Sequence, residues 1–277
     1  MIAKVETLQV RHPFDWEGLL NFFAPRAIPG VESVGAGVLR RSFNLNGETG
    51  SLEVSYDGSA IQLAVWGQRS MAATARRVLD LDFDPTLLKT TLGCDPFLAP
   101  VLENSPGVRL PGAWDEFEMG VRAILGQQVS VKAARTLAGR IVARYGRGVS
   151  HPLAGVDRVF PKAAELAEVP AAELATIGLP GKRAETLAEF ARWSAQPPGK
   201  RGPLLDLPGI GTWTESYLRM RGESDRDAFP AGDLGIHKAL GLQQLGPAKA
   251  TKEAERLSQA WRPYRAYAVF LLWRSLV

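Results

Sequence analysis

The hydrophobic period of this chain changes once, and that change limits the folds open to it. Leu52, Val54 and Tyr56 alternate with polar neighbours, and after the Asp57-Gly58 turn Ile61, Leu63 and Val65 do the same. Successive side chains of a strand point to opposite faces, so this pattern reads as antiparallel strands joined at a tight turn. Helices are expected before them, around Asp15 to Phe23, and after them, around Ser70 to Leu79. Further along, apolar residues recur at helical spacing. Phe117, Val121, Ile124 and Leu125 form one set, and Ala134, Leu137, Ala138, Ile141, Val142 and Tyr145 another that Gly146 ends. Ala184, Leu187, Ala188 and Ala191 give a further amphipathic helix. Pro96, Pro100, Pro106, Gly107, Pro111 and Gly112 mark a linker where the period changes. The expected fold class is α+β, with a small antiparallel-sheet α+β domain over 1–92 and an all-helical body over 93–277. No repeat of about 20 to 50 residues points to a solenoid.

Composition narrows the function classes. The 277 residues, 45% apolar and 22% charged, suit two or three globular units. A net charge of +4 fits a polyanionic partner without requiring one. The single cysteine, Cys94, excludes an internal disulfide and any four-cysteine zinc or iron–sulfur site. The first residues, Met-Ile-Ala-Lys-Val-Glu-Thr, lack the apolar core of a signal peptide. The apolar run from Ala266 to Trp273 is too short to span a bilayer. The expectation is a soluble, cytoplasmic protein with no membrane partner. His12, His151 and His237 have no metal-binding spacing and are expected on the surface or in caps. There is no Gly-x-Ser-x-Gly elbow, Walker loop or dinucleotide fingerprint.

The strongest local motif is Leu207-Pro-Gly-Ile-Gly-Thr-Trp213-Thr-Glu-Ser-Tyr217. It reads as a short apolar helix, a glycine-relaxed turn and a second helix. Gly209, Ile210, Gly211 and Thr212 would present main-chain N–H groups to a phosphate, with no Cβ on the glycines to block its approach. An ordinary αα-hairpin packed on a core has the same turn, so the turn alone leaves both readings open. Thr212 and Glu215 have the spacing of a capping box. Trp213 and Tyr217 share one helix face, either in the core or facing a base. Asp233, in Phe229-Pro-Ala-Gly-Asp233, reads first as a helix N-cap, a place that also keeps a carboxylate ionised. Gln127 and Gln128 sit at a helix junction, where they would enter a gap in a base stack or solvate a bend.

Five dispersed segments then match one family in order. They are Leu79-Asp-Leu-Asp-Phe-Asp-Pro85, Leu110-Pro-Gly112, Phe117-Glu-x-Gly-Val-Arg-Ala-Ile-Leu-Gly-Gln127, Gly181-Lys-Arg-Ala-Glu185 and Tyr267-Ala-x-x-x-x-Trp273. Nearly end to end, the chain resembles the bacterial 3-methyladenine DNA glycosylase II proteins, the AlkA type of the helix-hairpin-helix glycosylase superfamily. The resemblance implies a two-lobed helix-hairpin-helix body, with a central lobe over 113–227 and a second over 93–112 and 228–277. It implies that Asp233 is the essential aspartate and that Trp213, Tyr217 and Trp273 line the base pocket. It places Gly209, Ile210, Gly211, Thr212, Gln127 and Gln128 on DNA. Gln128 stands where the wedge residue stands, which is leucine in the best-known type, so the chain departs from the pattern there.

The partner implied is double-stranded DNA with alkylated bases such as 3-methyladenine and 7-methylguanine, bound by a monomer. No cofactor is required. A sodium or potassium ion at the backbone carbonyls of Leu207 and Ile210 is the one ion implied. Members that also cleave the backbone carry lysine at the position of Trp213, and some branches carry four cysteines. The resemblance therefore implies a monofunctional glycosylase without lyase activity. A DNA-binding module that has lost its chemistry and a glycosylase for oxidised bases are the competing readings. Retention of Asp233 argues against the first, and Trp213 in the lysine position argues against the second.

Overall fold

The structure, a computed structural model, describes residues 3–45 and 47–276; Met1 and Ile2 of the N-terminal stretch lie outside the described residues. The chain divides into two compact units, one of residues 1–9, 20–75 and 114–210 and one of residues 10–19, 76–113 and 211–277. The helices expected near 15–23 and 70–79 form over Trp16–Phe23 and Ala72–Val78.

The first unit contains an antiparallel sheet of β1 (Lys4–Gln9), β2 (Glu32–Gly35), β3 (Val38–Leu45), β4 (Glu48–Tyr56) and β5 (Ala60–Trp66), in the order β1-β5-β4-β3-β2. The expected turn joins β4 to β5, with Gly58 at φ +98° and the Asp57 carboxylate accepting the Ser59 and Ala60 N–H groups. Leu52, Val54, Ile61, Leu63 and Val65 are buried, as their alternation requires. The helices Glu116–Gly126, Val131–Tyr145 and Gly181–Ala195 follow the predicted periodicity, and Gly146 ends the second.

This part of the chain is not purely helical, however. β6 (Arg147–Leu153) and β7 (Val156–Val159) form a hairpin. The hairpin joins the sheet through Ser51 Oγ, which donates to the His151 carbonyl at 2.5 Å, and Ser42 Oγ, which donates to the Arg158 carbonyl at 2.6 Å. Helix and sheet are also tied by a nearly enclosed set of two arginines and two glutamates. Arg41 on β3 bonds Glu32 and Glu118, and Arg122 bonds the same two carboxylates and the Arg26 carbonyl. Burial opposes the charge on Glu32, but the Arg122 and Arg41 guanidiniums outweigh it and lower the carboxyl from 4.5 to about 2.

The second unit consists of helices, chiefly Thr86–Leu92, Ala99–Asn104, Thr212–Arg221, Leu234–Ala239, Pro247–Ser258 and Arg265–Arg274. The expected linker holds structure of its own: Ala99–Asn104 is helical with Pro100 in its first turn, and Val108 and Leu110 are buried. Ala266 to Leu272 are all buried, which identifies the C-terminal apolar run as a core helix. Among the described residues no helix is long and apolar enough to cross a membrane.

Three of the family segments meet at Asp80. Its Oδ2 accepts the Leu110 N–H at 3.2 Å and the Tyr267 hydroxyl at 2.5 Å, and the Gly112 N–H donates to the Val78 carbonyl at 2.8 Å.

Candidate active site

The turn at 207–212 is shaped by its glycines for two different reasons. It follows a single 3₁₀ turn, Leu204–Asp206, where the sequence suggested a short apolar helix. The Leu207 carbonyl accepts the Ile210 N–H at 3.1 Å, and Ile210 buries its side chain. Gly209 has φ +80°, and a Cβ there would lie 2.1 Å from Thr186 Oγ1, so an internal contact demands glycine. Around Gly211 a Cβ would meet nothing within 4 Å, so no internal contact demands glycine there.

The capping box expected of Thr212 and Glu215 does not form. Extended backbone at Gly211 (φ −114°, ψ 179°) makes that residue the N-cap of Thr212–Arg221, without a side-chain cap, and Thr212 is already the first helical residue. The Leu207 carbonyl oxygen, while accepting the Ile210 N–H, keeps a second lone pair. Among the described residues no group of three or more His, Cys, Asp or Glu side chains is placed to hold a metal.

Gln127 and Gln128 lie in the junction between Glu116–Gly126 and Val131–Tyr145, in the same unit as Gly209. Gln127 Nε2 donates to the Gly209 carbonyl at 3.0 Å, and the Gln127 carbonyl accepts from Arg183 at 2.7 Å. The side chain of Gln127 therefore links the junction to the glycine turn. Gln128 is exposed and has φ +57°, a left-handed conformation uncommon for a residue with a Cβ. Ser130 then caps the next helix by accepting the Ala133 N–H at 3.2 Å.

The remaining site residues gather in the second unit. Asp233 is the N-cap of Leu234–Ala239, its Oδ1 accepting the Ile236 N–H at 3.0 Å. Trp213 Nε1 donates to Asp233 Oδ2 at 3.0 Å, and Trp273 Nε1 donates to Oδ1 at 3.0 Å. The Trp213 and Tyr217 rings stack with centroids 5.2 Å apart and planes 19° apart, and Trp273 is tilted against Tyr217 at 6.4 Å. Three rings form one wall beside a half-buried carboxylate. Such a wall offers an apolar, electron-rich face to a flat cation, and the carboxylate offers a fixed negative charge.

Two residues near this wall escaped the sequence reading, and one was misplaced. Arg221 continues the i, i+4 stripe of Trp213 and Tyr217 and is buried. It donates to the Tyr217 hydroxyl at 3.2 Å, to the Gly112 carbonyl at 3.3 Å and to the Pro111 carbonyl. Its place four residues after Tyr217 was the available signal. Gly235 lies beside the Asp233–Trp273 hydrogen bond, a proximity that no local pattern announces. His237, expected on the surface or in a cap, is buried, with Nε2 2.7 Å from the Ala231 carbonyl in the loop that delivers Asp233.

Comparison with known proteins bears on this geometry. Residues 5–115 match the AlkA N-terminal domain, and residues 121–263 match the family described as HhH-GPD superfamily base excision DNA repair protein. The chain is 32% identical to DNA-3-methyladenine glycosylase 2 of Escherichia coli strain K12 over 284 aligned residues, covering 96% of both chains. It is 40% identical to the Mycobacterium tuberculosis protein described as "Probable bifunctional transcriptional activator/DNA repair enzyme AlkA", covering 97% of this chain but only 56% of that longer one. Among solved structures, 3-methyladenine DNA-glycosylase from Archaeoglobus fulgidus superposes with a TM-score of 0.81 at 23% identity, covering 97% of each chain, a likeness of fold.

Proposed function

Since the chain belongs to the HhH-GPD superfamily of base excision DNA repair proteins and carries the AlkA N-terminal domain, we propose that it is a monofunctional DNA glycosylase for alkylated bases. It acts in the cytoplasm as a monomer on double-stranded DNA. The target nucleotide leaves the helix at a cost of about a few kcal/mol, least for a damaged base that pairs and stacks poorly. Gln128 fills the gap left behind. Main-chain N–H groups of Gly211 and Thr212 hold a DNA phosphate, the Ile210 N–H being engaged by the Leu207 carbonyl, and the Leu207 and Ile210 carbonyls would hold a sodium or potassium ion that adds positive charge there.

Alkylation at a ring nitrogen makes a purine cationic and a good leaving group. The wall of Trp213, Tyr217 and Trp273 receives it, each cation–π contact contributing about 0.5 to 2 kcal/mol. As the N-glycosidic bond breaks, positive charge develops on the sugar. Asp233 stabilises that charge, and its carboxylate orients or activates the incoming water. The products are a free base, such as 3-methyladenine or 7-methylguanine, and an abasic site. An indole at 213 has no amine to form a Schiff base, which supports the absence of lyase chemistry. The observation that carries this reading is the ionisable Asp233 held beside three aromatic rings.

The test is incubation with methylated duplex DNA, measuring released bases together with strand breaks before and after alkali. Release of 3-methyladenine with breaks only after alkali is expected, and Asp233→Asn should abolish most turnover while leaving DNA binding nearly intact. Breaks without alkali would contradict the monofunctional assignment.

A further inference from the structure

Asp233 is held more firmly than a helix cap requires. Oδ1 accepts the Ile236 N–H and the Trp273 indole N–H, each at 3.0 Å, and Oδ2 accepts the Trp213 indole N–H at 3.0 Å. A carboxylate has about four acceptor positions, so among the described residues these donors leave one, on Oδ2. Contact with a base uses the face of an indole and makes no demand on its N–H. Both indoles of the wall point their only donor at the same carboxylate.

Gly235 completes the arrangement. A Cβ there would lie 3.0 Å from Asp233 Oδ1, 3.0 Å from Trp273 Cδ1 and 3.1 Å from Trp273 Nε1. Glycine is a poor helix former, and inside Leu234–Ala239 its bare Cα gives Trp273 room to reach Asp233.

We propose that Trp213 and Trp273 are positioning residues that clamp Asp233 through their indole N–H groups, with Gly235 making the Trp273 contact sterically open. This rests on the reading of Asp233 as the carboxylate that acts on the sugar. Fixed donors on both oxygens prevent the carboxylate from rotating away and leave a single Oδ2 lone pair for water or for the developing charge.

The experiment compares wild-type protein with Asp233→Asn, Trp213→Phe, Trp273→Phe and Gly235→Ala. It measures single-turnover excision at saturating methylated DNA, affinity for an abasic duplex, thermal stability and the ¹⁵N-indole NMR spectrum. Phenylalanine keeps a ring face and loses the N–H, whereas Gly235→Ala keeps every ring and disturbs only the contact. Each of these three variants should fold and excise about tenfold more slowly, with abasic-duplex affinity within about twofold of wild type. In Asp233→Asn, whose amide nitrogen cannot accept, the indole resonance of Trp213 or of Trp273 should shift.

Wild-type excision by Trp213→Phe, Trp273→Phe and Gly235→Ala, with Asp233→Asn inactive, would overturn the clamp and leave the glycosylase reading standing. So would indole resonances that do not respond to Asp233→Asn, or rate losses matched by equal losses of abasic-duplex affinity. Normal excision by Asp233→Asn would instead overturn the reading of Asp233 itself.

Discussion

The Tyr267 hydroxyl donates to Asp80 Oδ2 at 2.5 Å across 187 residues of sequence, and this bond fastens the C-terminal core helix to the segment after Val78. Burial pushes the Asp80 carboxyl above its usual range, against the opposing pull of Tyr267, the Leu110 N–H, Arg226 and Arg109. Burial and the adjacent Asp80 charge keep the Tyr267 phenol protonated well beyond its usual range.

Tyr267→Phe should therefore destabilise the protein by about 1 to 3 kcal/mol at neutral pH, because a buried carboxylate loses a donor. The sign with pH follows from the raised folded-state value. Stability from a protonated Asp80 is present at low pH and is lost as pH rises through that value. Without the Tyr267 donor the value rises further, so the penalty should be smaller in acid than at pH 7. Urea unfolding of both proteins across that range would show it, and a penalty independent of pH would contradict it.

Much of this architecture could be read from local pattern. Alternation placed β4 and β5, helical spacing placed the long helices, and the residues before Leu234 identified Asp233 as an N-cap. The misreadings have specific causes. Thr212 looked like a cap because spacing does not show which residue is extended, and that residue is Gly211. The β6–β7 hairpin was invisible because Val156-Asp-Arg-Val159 buries its first and last residues and so does not alternate. Arg41 with Glu118, and both indoles on Asp233, depend on contacts between distant segments that no period encodes.

The two glycines of the turn should separate in mutagenesis. Gly211→Ala meets no internal atom and has an ordinary φ, so stability should stay within about 0.5 kcal/mol of wild type. Its affinity for DNA of any sequence should fall about tenfold if, as proposed, the turn holds a phosphate. Gly209→Ala should instead lose about 1 to 3 kcal/mol of stability through its positive φ and the Thr186 contact. Thermal melts paired with binding to undamaged and methylated duplexes test both statements.

Gln128→Gly should move stability and activity in opposite directions. Relief of the left-handed backbone should gain on the order of 1 kcal/mol, reduced somewhat by the greater freedom of glycine when unfolded. Loss of the side chain should slow excision from a paired duplex more than from a mismatched one, which opens more easily. Equal slowing on both substrates would count against a wedge role.

Acid should loosen the sheet-bearing unit through Glu32. Its folded value of about 2 lies below the ordinary 4.5, so its contribution is full above 4.5 and is lost as pH falls towards 2. Glu32→Gln breaks the enclosed ion set and should cost about 3 to 5 kcal/mol at neutral pH. The gap between variant and wild type should close as pH drops through that window. A constant gap in denaturant midpoints would show that Glu32 does not titrate in this way.

The division of the chain into units has a consequence for synthesis. The first unit takes its residues from 1–9, 20–75 and 114–210, and the second from 10–19, 76–113 and 211–277. Domains fold as units, ordinarily in the order in which they leave the ribosome. Here residues 10–19 and 76–113 emerge early and must wait, without their partners, until the segment with Asp233 and Trp273 has been made. The unit that holds Asp233 is completed last, from three stretches far apart in the sequence.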